Sequence, residues 1–286
     1  MIRLKILLLS VLFIILFYLF KKAHKNTTDV VINKIQIDQK QIHGQNPILN
    51  ILHLSDMHLE NISISPVQLY EKLKNESIDL IALTGDFLDR KRTISKLAPY
   101  LEVLNQLHAK HGIYAVFGNH DYVLSEKDLQ KLKETLEQYG CKVMQNENYV
   151  IYVQDKRVNI IGVDDFSTKR SDLAASYREI KPGTNLVLTH DPNIVLHTKE
   201  YHFDYLLAGH FHGGQICYPK AYHLAKMGKL ARMNIIKGLH MQDGKPFYIS
   251  EGLGQTGVNI RVGSRPEITL HQLSIATVKN EELPAV

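Results

Sequence analysis

The sequence predicts an α/β layered domain placed behind one membrane-crossing helix, and three observations carry that expectation. Apolar, β-rich runs alternate with helical patterns from about residue 46 onward. The 286 residues are 44% hydrophobic and 22% charged, which is too apolar for a disordered chain. From Ile6 to Phe20 every residue is apolar or aromatic except Ser10, and lysines and an arginine flank the run. Charge supports the same division. The net charge is +5, but Arg3, Lys5, Lys21, Lys22 and Lys25 precede any acid, and 29 basic residues face 29 acidic ones over the other 261. The excess belongs to the apolar segment, so the balanced remainder lacks the basic surplus that supplies most nucleic-acid affinity, and no nucleic acid is expected. Two cysteines, Cys141 and Cys217, are too few for a disulfide framework.

The elements follow in order. The fifteen-residue apolar run spans only about 22 Å as a helix, so it must borrow Ile2 to Leu4 and let its flanking basic side chains snorkel to cross a bilayer core of about 30 Å. A cleaved secretory signal would need a small-x-small site, and Phe20-Lys21-Lys22-Ala23-His24 offers none. An uncleaved anchor over residues 1–25, single-pass in the cell membrane, is therefore expected. Positive charges flank both ends about equally, which leaves the side open. Residues 26–45 read as a linker with a first strand at Val30 to Ile37. Further strands are expected at Ile48 to Leu54, Leu80 to Thr84, Ile113 to Phe117, Lys142 to Val153, Val158 to Val163, Leu186 to Thr189, Tyr205 to Ala208, Pro246 to Ser250 and Glu267 to Leu273. Helices are expected at Pro66 to Asn75, capped by Ser65, at Ile94 to Lys110, and at Ser125 to Tyr139, closed by Gly140. The later strands crowd together, which suggests a second sheet. One domain over 46–275 and a tail over 276–286 complete the division.

Five of the strand ends carry an unusual set of side chains. Asp56-Met57-His58 follows the first, Gly85-Asp86-Phe87-Leu88-Asp89-Arg90 the next, then Gly118-Asn119-His120-Asp121, His190-Asp191-Pro192 and Gly209-His210-Phe211-His212. Loops at the carboxyl ends of strands converge on one rim, which is where sites in such sheets assemble. Carboxylate, amide and imidazole donors without thiolates suit Mn²⁺, Fe²⁺ or Zn²⁺. Asp56-x-His58 and His210-x-His212 each put two side chains on one side of an extended segment. A carboxylate such as Asp86 can bridge two cations. The glycines at 85, 118 and 209 stand where a tight turn or a close backbone approach needs no side chain. Asp121 and Asp191 read as local caps. The ten histidines outside these motifs, His53 among them, are read as ordinary surface or buried imidazoles.

This order of motifs, Asp-x-His, Gly-Asp-x-x-Asp-Arg, Gly-Asn-His-Asp, His and Gly-His-x-His, resembles that of the calcineurin-like metallophosphoesterase family over about residues 48–275. The resemblance implies a four-layer α/β/β/α sandwich with a dinuclear metal centre on the rim. One metal would take Asp56, His58, Asp86 and His212, and the other Asp86, Asn119, His190 and His210. His120 would sit beside the leaving oxygen, oriented by Asp89, and Arg90 could contact phosphate. Two divalent ions would lower the pKa of a water between them and offset charge on a phosphoester or pyrophosphate substrate. Gly213-Gly214-Gln215, Gly252-Leu253-Gly254, Arg261 and Arg265-Pro266-Glu267-Ile268 look like the membrane-anchored bacterial subgroup. That subgroup includes broad phosphodiesterases and enzymes that cleave UDP-2,3-diacylglucosamine in lipid A synthesis. A non-catalytic module using the metal rim to hold a partner is the alternative of another class, against which His120 counts, because metal binding alone does not need it. From 205 to 242 there is no acid, while Lys220, Lys226, Lys229, Arg232 and Lys237 interleave with aromatic and apolar residues. Such a stretch suits either a membrane surface holding a lipid phosphate or an amphipathic helix covering the sheet.

Overall fold

The computed structural model describes residues 2–38 and 46–275. The expected tail over 276–286 and part of the expected linker lie outside the described residues. The chain opens with helix α1 (Ile2–Lys25), whose apolar side chains are exposed along its length. Its 24 residues measure about 36 Å, and it is long and apolar enough to cross a membrane.

Twelve strands follow among the described residues. They are β1 (Val31–Ile37), β2 (Ile48–Leu54), β3 (Leu80–Thr84), β4 (Ile113–Val116), β5 (Cys141–Met144) and β6 (Glu147–Val153), then β7 (Lys156–Gly162), β8 (Thr184–Leu188), β9 (Tyr205–Ala208), β10 (Gly238–Gln242), β11 (Lys245–Ile249) and β12 (Glu267–Ser274). Two six-stranded sheets result, ordered β1-β12-β2-β3-β4-β5 and β10-β11-β9-β8-β7-β6. The central neighbours β2, β3 and β4 run parallel in the first sheet, as do β7, β8 and β9 in the second. Two antiparallel ribbons, β6 with β7 and β10 with β11, flank the second sheet.

The strands are buried on both faces, and alternation decides which core each side chain joins. Leu52, Leu54, Ile81 and Leu83 pack with helices α2 (Pro66–Leu73), α3 (Ala98–Gln106) and α4 (Glu126–Gln138) on the outer face of the first sheet. Ile51, Leu80 and Ala82 point the other way and meet Ile160, Leu186, Leu188 and Leu207 between the sheets. Ile161, Val187, Leu206 and Ala208 face a third cluster under the segment around Leu224 and Leu230. The arrangement is the expected α/β/β/α sandwich.

Local sequence explains most element boundaries. Ser65 and Gln68 form a reciprocal capping box on α2 with Pro66 in the first turn, and Ser125 caps α4 by accepting from the amide of Asp128. Two expectations are corrected, and one strand was not expected. The helix read over Ile94 to Lys110 is a tight 3₁₀ segment, Lys91–Lys96, followed by the shorter α3, because Pro99 starts a new helix within it. The single strand read over Lys142 to Val153 is β5 and β6, broken where Asn146 adopts φ 62°. β10 has no apolar alternation strong enough to read, and it forms by pairing with β11.

Leu80 is fully buried between the sheets. Leu80→Ala is expected to cost about 2–5 kcal/mol, against under about 0.5 kcal/mol for Val150→Ala on the exposed side of β6, measured by chemical unfolding of the full chain in mild detergent.

Candidate metal centre

Strands β2, β3 and β4 of one sheet and β8 and β9 of the other end on a common rim, and the loops that leave them bring the expected side chains together. Oxygens and nitrogens of Asp56, His58, Asp86 and His212 lie within 4.8 Å of one another, as do those of Asp86, His190 and His210. Asp86 belongs to both groups. One of its oxygens, Oδ2, is 3.1 Å from His190 Nε2 and 3.6 Å from His58 Nε2, while Oδ1 accepts from the amide of His120 at 2.8 Å. Asn119 Oδ1 lies 3.2 Å from His190 Nε2 and joins the second group.

The tautomers follow from the outer hydrogen bonds. His58 Nδ1 donates to Asp89 at 2.8 Å, His190 Nδ1 to the carbonyl of Thr84 at 2.7 Å, and His212 Nδ1 to the carbonyl of Gly254 at 3.3 Å. Each neutral ring therefore turns an Nε2 lone pair inward. His58 Nε2 and His212 Nε2 face each other at 3.1 Å. Two lone pairs beside buried carboxylates form a donor set that a cation satisfies and a proton on one ring satisfies only in part. The electrostatics of His190 make the same demand. Burial pulls the His190 pKa down, and the charge and hydrogen bond of Asp86 outweigh it, raising it well above the ordinary imidazole range. The residues present thus fit divalent metal.

His120 and Asp89 stand beside this cluster. His120 Nδ1 donates to Asp89 Oδ1 at 2.8 Å, the same oxygen that accepts from His58. Burial lowers the His120 pKa, but the bond to Asp89 and the charge of Asp86 raise it to about 9. Burial raises the Asp89 pKa, and its bonds from His120 and His58 hold it below the usual carboxylate range. His120 also lines a cavity of about 390 Å³ whose wall includes His212, Ile216, Leu224, Met227 and Val258. Arg90 is placed elsewhere: its side chain is exposed, does not line this cavity, and has no hydrogen bond or ion pair among the described residues.

The loops hold these groups in an unusual backbone. Asp56, His58, Asp86, His210 and His212 all have positive φ, between 36° and 76°. Each such residue costs about 1–3 kcal/mol and persists only where its surroundings over-determine it. Here the loops bind one another: Asp56 N donates to Gly85 O at 3.0 Å, His58 N to Asp86 O at 3.0 Å, and Gly254 N to Asp56 O at 2.7 Å. Gly118 and Gly209 have to be glycine, because a methyl at Gly118 would run into Asp86 and one at Gly209 into Ser55 and Asp56.

Several supporting residues escaped the sequence reading. Asp121 is no simple cap: its buried carboxylate accepts from the amides of Asp86, Phe87 and Gly118, each at 2.9 Å, and so ties the β3 loop to the β4 loop. Burial and the charge of Asp86 push its pKa up to about 7. Asp191, by contrast, caps the Pro192 turn as read. Glu60 accepts from the amide of Asp89 at 3.0 Å, and Ser55 Oγ donates to Asp56 at 2.6 Å. Arg261 is fully buried, and its guanidinium donates to the carbonyls of His212, Glu251, Gly252, Gly254 and Arg265. The sequence held a signal for Asp121 and Arg261, since both belong to the quoted motifs, but no local pattern states what they bind.

The family model for calcineurin-like phosphoesterases matches residues 49–214. The chain belongs to this family. Metallophosphoesterase YkoQ of Bacillus subtilis is 61% identical over 267 residues, covering 93% of this chain and 99% of its own. Another B. subtilis metallophosphoesterase, YkuE, is 27% identical over 78% of each chain. At greater distance, the UDP-2,3-diacylglucosamine pyrophosphatase LpxG of Chlamydia trachomatis is 24% identical over 80% of this chain and 83% of its own. The protein is thus a phosphoester hydrolase with a buried His/Asp cluster suited to divalent metal.

Removing the Arg261 fork strands several buried carbonyls at about 1–3 kcal/mol each. Arg261→Met is expected to lower the thermal midpoint sharply and to reduce bound metal. Arg261→Lys is expected to recover little of either, since a single ammonium cannot reproduce the planar fork. Differential scanning fluorimetry and elemental analysis of the metal-loaded full chain check both.

Proposed function

We propose that the protein is a membrane-anchored hydrolase of phosphodiester or pyrophosphate bonds that works with two divalent ions, of which Mn²⁺, Fe²⁺ and Zn²⁺ suit the donors. The observation that carries this reading is the sharing of Asp86 between two metal-capable groups, with the His120–Asp89 pair at their edge. Asp56, His58, Asp86 and His212 would hold one ion, and Asp86, Asn119, His190 and His210 the other. Such a pair supplies hydroxide near neutral pH and offsets charge on the phosphoryl oxygens. Asp89 fixes the His120 ring through Nδ1, which leaves the opposite nitrogen, Nε2, to hold a proton for the leaving oxygen. Ser55 and the amide of His210 bind the outer edge of Asp56, and Asp121 holds the amide of Asp86, so the carboxylates keep their angle as substrate enters. The exposed Arg90 could reach substrate phosphate only from outside the cavity.

A narrower reading is a lipid-linked pyrophosphate substrate such as UDP-2,3-diacylglucosamine. Its support is the apolar wall of the cavity, Ile216, Leu224, Met227 and Val258, together with the distant likeness to LpxG. Anchoring rests on α1, which is long and apolar enough to span a bilayer and whose end is bonded into the domain: Arg261 N donates to Ala23 O at 2.9 Å.

The test compares a generic phosphodiester, a phosphomonoester and UDP-2,3-diacylglucosamine as substrates for the full, detergent-solubilised chain loaded with Mn²⁺. Turnover of at least one is expected and should vanish on chelation; no metal-dependent turnover of any of the three would overturn the reading. Asp86→Asn is expected to remove both metal and activity. His120→Gln is expected to keep bound metal and to lose about 10²- to 10⁴-fold in turnover, the usual contribution of general acid catalysis.

A further inference from the structure

The segment without acids now has a definite form. Residues 216–233 fold as a short 3₁₀ helix, Tyr222–Met227, and a single helical turn, α5 (Lys229–Arg232), rather than as one amphipathic helix. One side of it is consumed by the core, with Ala221, Leu224, Leu230 and Ala231 buried on the second sheet. The other side carries Ile216, Tyr218, Tyr222 and Met233, which are 42%, 82%, 69% and 56% exposed. Between them stand the exposed cations Lys220, Lys226, Lys229 and Arg232. None of these basic side chains has a carboxylate partner among the described residues. Exposed tyrosines and aliphatic side chains set among unpaired cations are what the headgroup layer of an anionic bilayer accepts, since the rings suit its boundary and the cations its phosphates.

Backbone pairing places this face beside the end of α1. Ile216 bridges Val262, Cys217 N donates to Val262 O at 2.7 Å, and Val262 N donates to Gln215 O at 2.8 Å. On the adjoining residue, Arg261 N donates to Ala23 O and Arg261 O accepts from Asn26 Nδ2, both at 2.9 Å, and His24 Nδ1 donates to Asn259 O at 2.9 Å. One stretch of chain, 259–262, is thus bonded both to the helix terminus and to the start of the exposed face. If α1 crosses a bilayer, its terminal lysines, Lys21, Lys22 and Lys25, mark the level of the headgroups. Ile216 and its neighbours then lie at that level too.

We infer that this face rests on an anionic bilayer, with Tyr218 and Tyr222 in the headgroup layer and the cations around them on lipid phosphates. Ile216 belongs both to this face and to the wall of the metal-site cavity, so the cavity opens at the lipid–water boundary. Substrate would enter along the membrane surface. The inference rests on the anchoring of α1 and not on the hydrolytic reading.

The chain contains no tryptophan, so a single introduced one is a clean reporter. Tyr218→Trp and Tyr222→Trp, each in the full chain, would be reconstituted into vesicles of phosphatidylglycerol and phosphatidylcholine containing brominated acyl chains. Tyr152→Trp, at an exposed position on β6, serves as control. Several-fold stronger quenching of the two face reporters than of the control is expected. It should weaken with Lys220→Glu and Arg232→Glu, and in purely zwitterionic vesicles. Vesicle flotation reads the anchor separately. Protein that floats while both face reporters remain as unquenched as Tyr152→Trp overturns the inference alone, whereas protein that fails to float overturns the anchoring beneath it. Quenching indifferent to both charge changes and lipid charge overturns the anionic assignment. No metal-dependent turnover of any of the three substrates, with quenching intact, would count against the hydrolytic reading only.

Discussion

Two buried carboxylates facing four imidazoles set the terms for the rest of the molecule. Asp56 and Asp86 are almost fully out of solvent, and charge so placed is tolerated only with compensating charge and a full set of hydrogen bonds. Three of the imidazoles, His58, His190 and His212, answer part of this need, turning their inner nitrogens toward the carboxylates while their outer nitrogens are tied to Asp89, Thr84 and Gly254. What remains is a demand for positive charge at the point where Asp86 Oδ2 meets His190 and His58. A divalent cation meets it, which is why the centre reads as a metal site before any relative is considered.

Gathering these groups carries a conformational cost, and the surrounding structure is arranged to bear it. Five of the gathered residues sit in the left-handed region without being glycine. The neighbouring glycines leave room for carboxylates where a methyl would collide. Asp121 ties the loops after β3 and β4 together, and Arg261 ties the loop bearing His212 to the chain at Gly252 and Gly254. Because the backbone of Arg261 also bonds to the end of α1, the strained rim and the apolar helix share one structural joint. The candidate metal centre and the end of the apolar helix are therefore joined through one residue, by its buried side chain on one side and its peptide on the other.

Much of the fold was legible because its signals are local. Val, Ile and Leu runs bounded by turn residues marked β2, β3, β8 and β9, and Ser65, Pro66 and Ser125 marked helix starts, since a cap needs only the residues within its own turn. The failures share a cause. Asn146, held at positive φ, divides one expected strand into two, and β10 owes its existence to a partner strand. The role of Asp121 depends on amides in a loop more than thirty residues away. Hydrogen bonds formed only after folding leave no periodicity to read.

Residue types and their order determined the chemistry: oxygen and nitrogen donors at five strand ends, flanking glycines, and an apolar stretch ahead of them all. Those features follow from composition and spacing, which survive without coordinates. Only the tertiary structure decided which lone pairs turn inward, that Arg90 lies outside the cavity, and that Arg261 joins the rim to the helix. Each of these depends on distances between segments far apart in the chain, and such distances are set by two sheets packing face to face rather than by any one stretch of sequence.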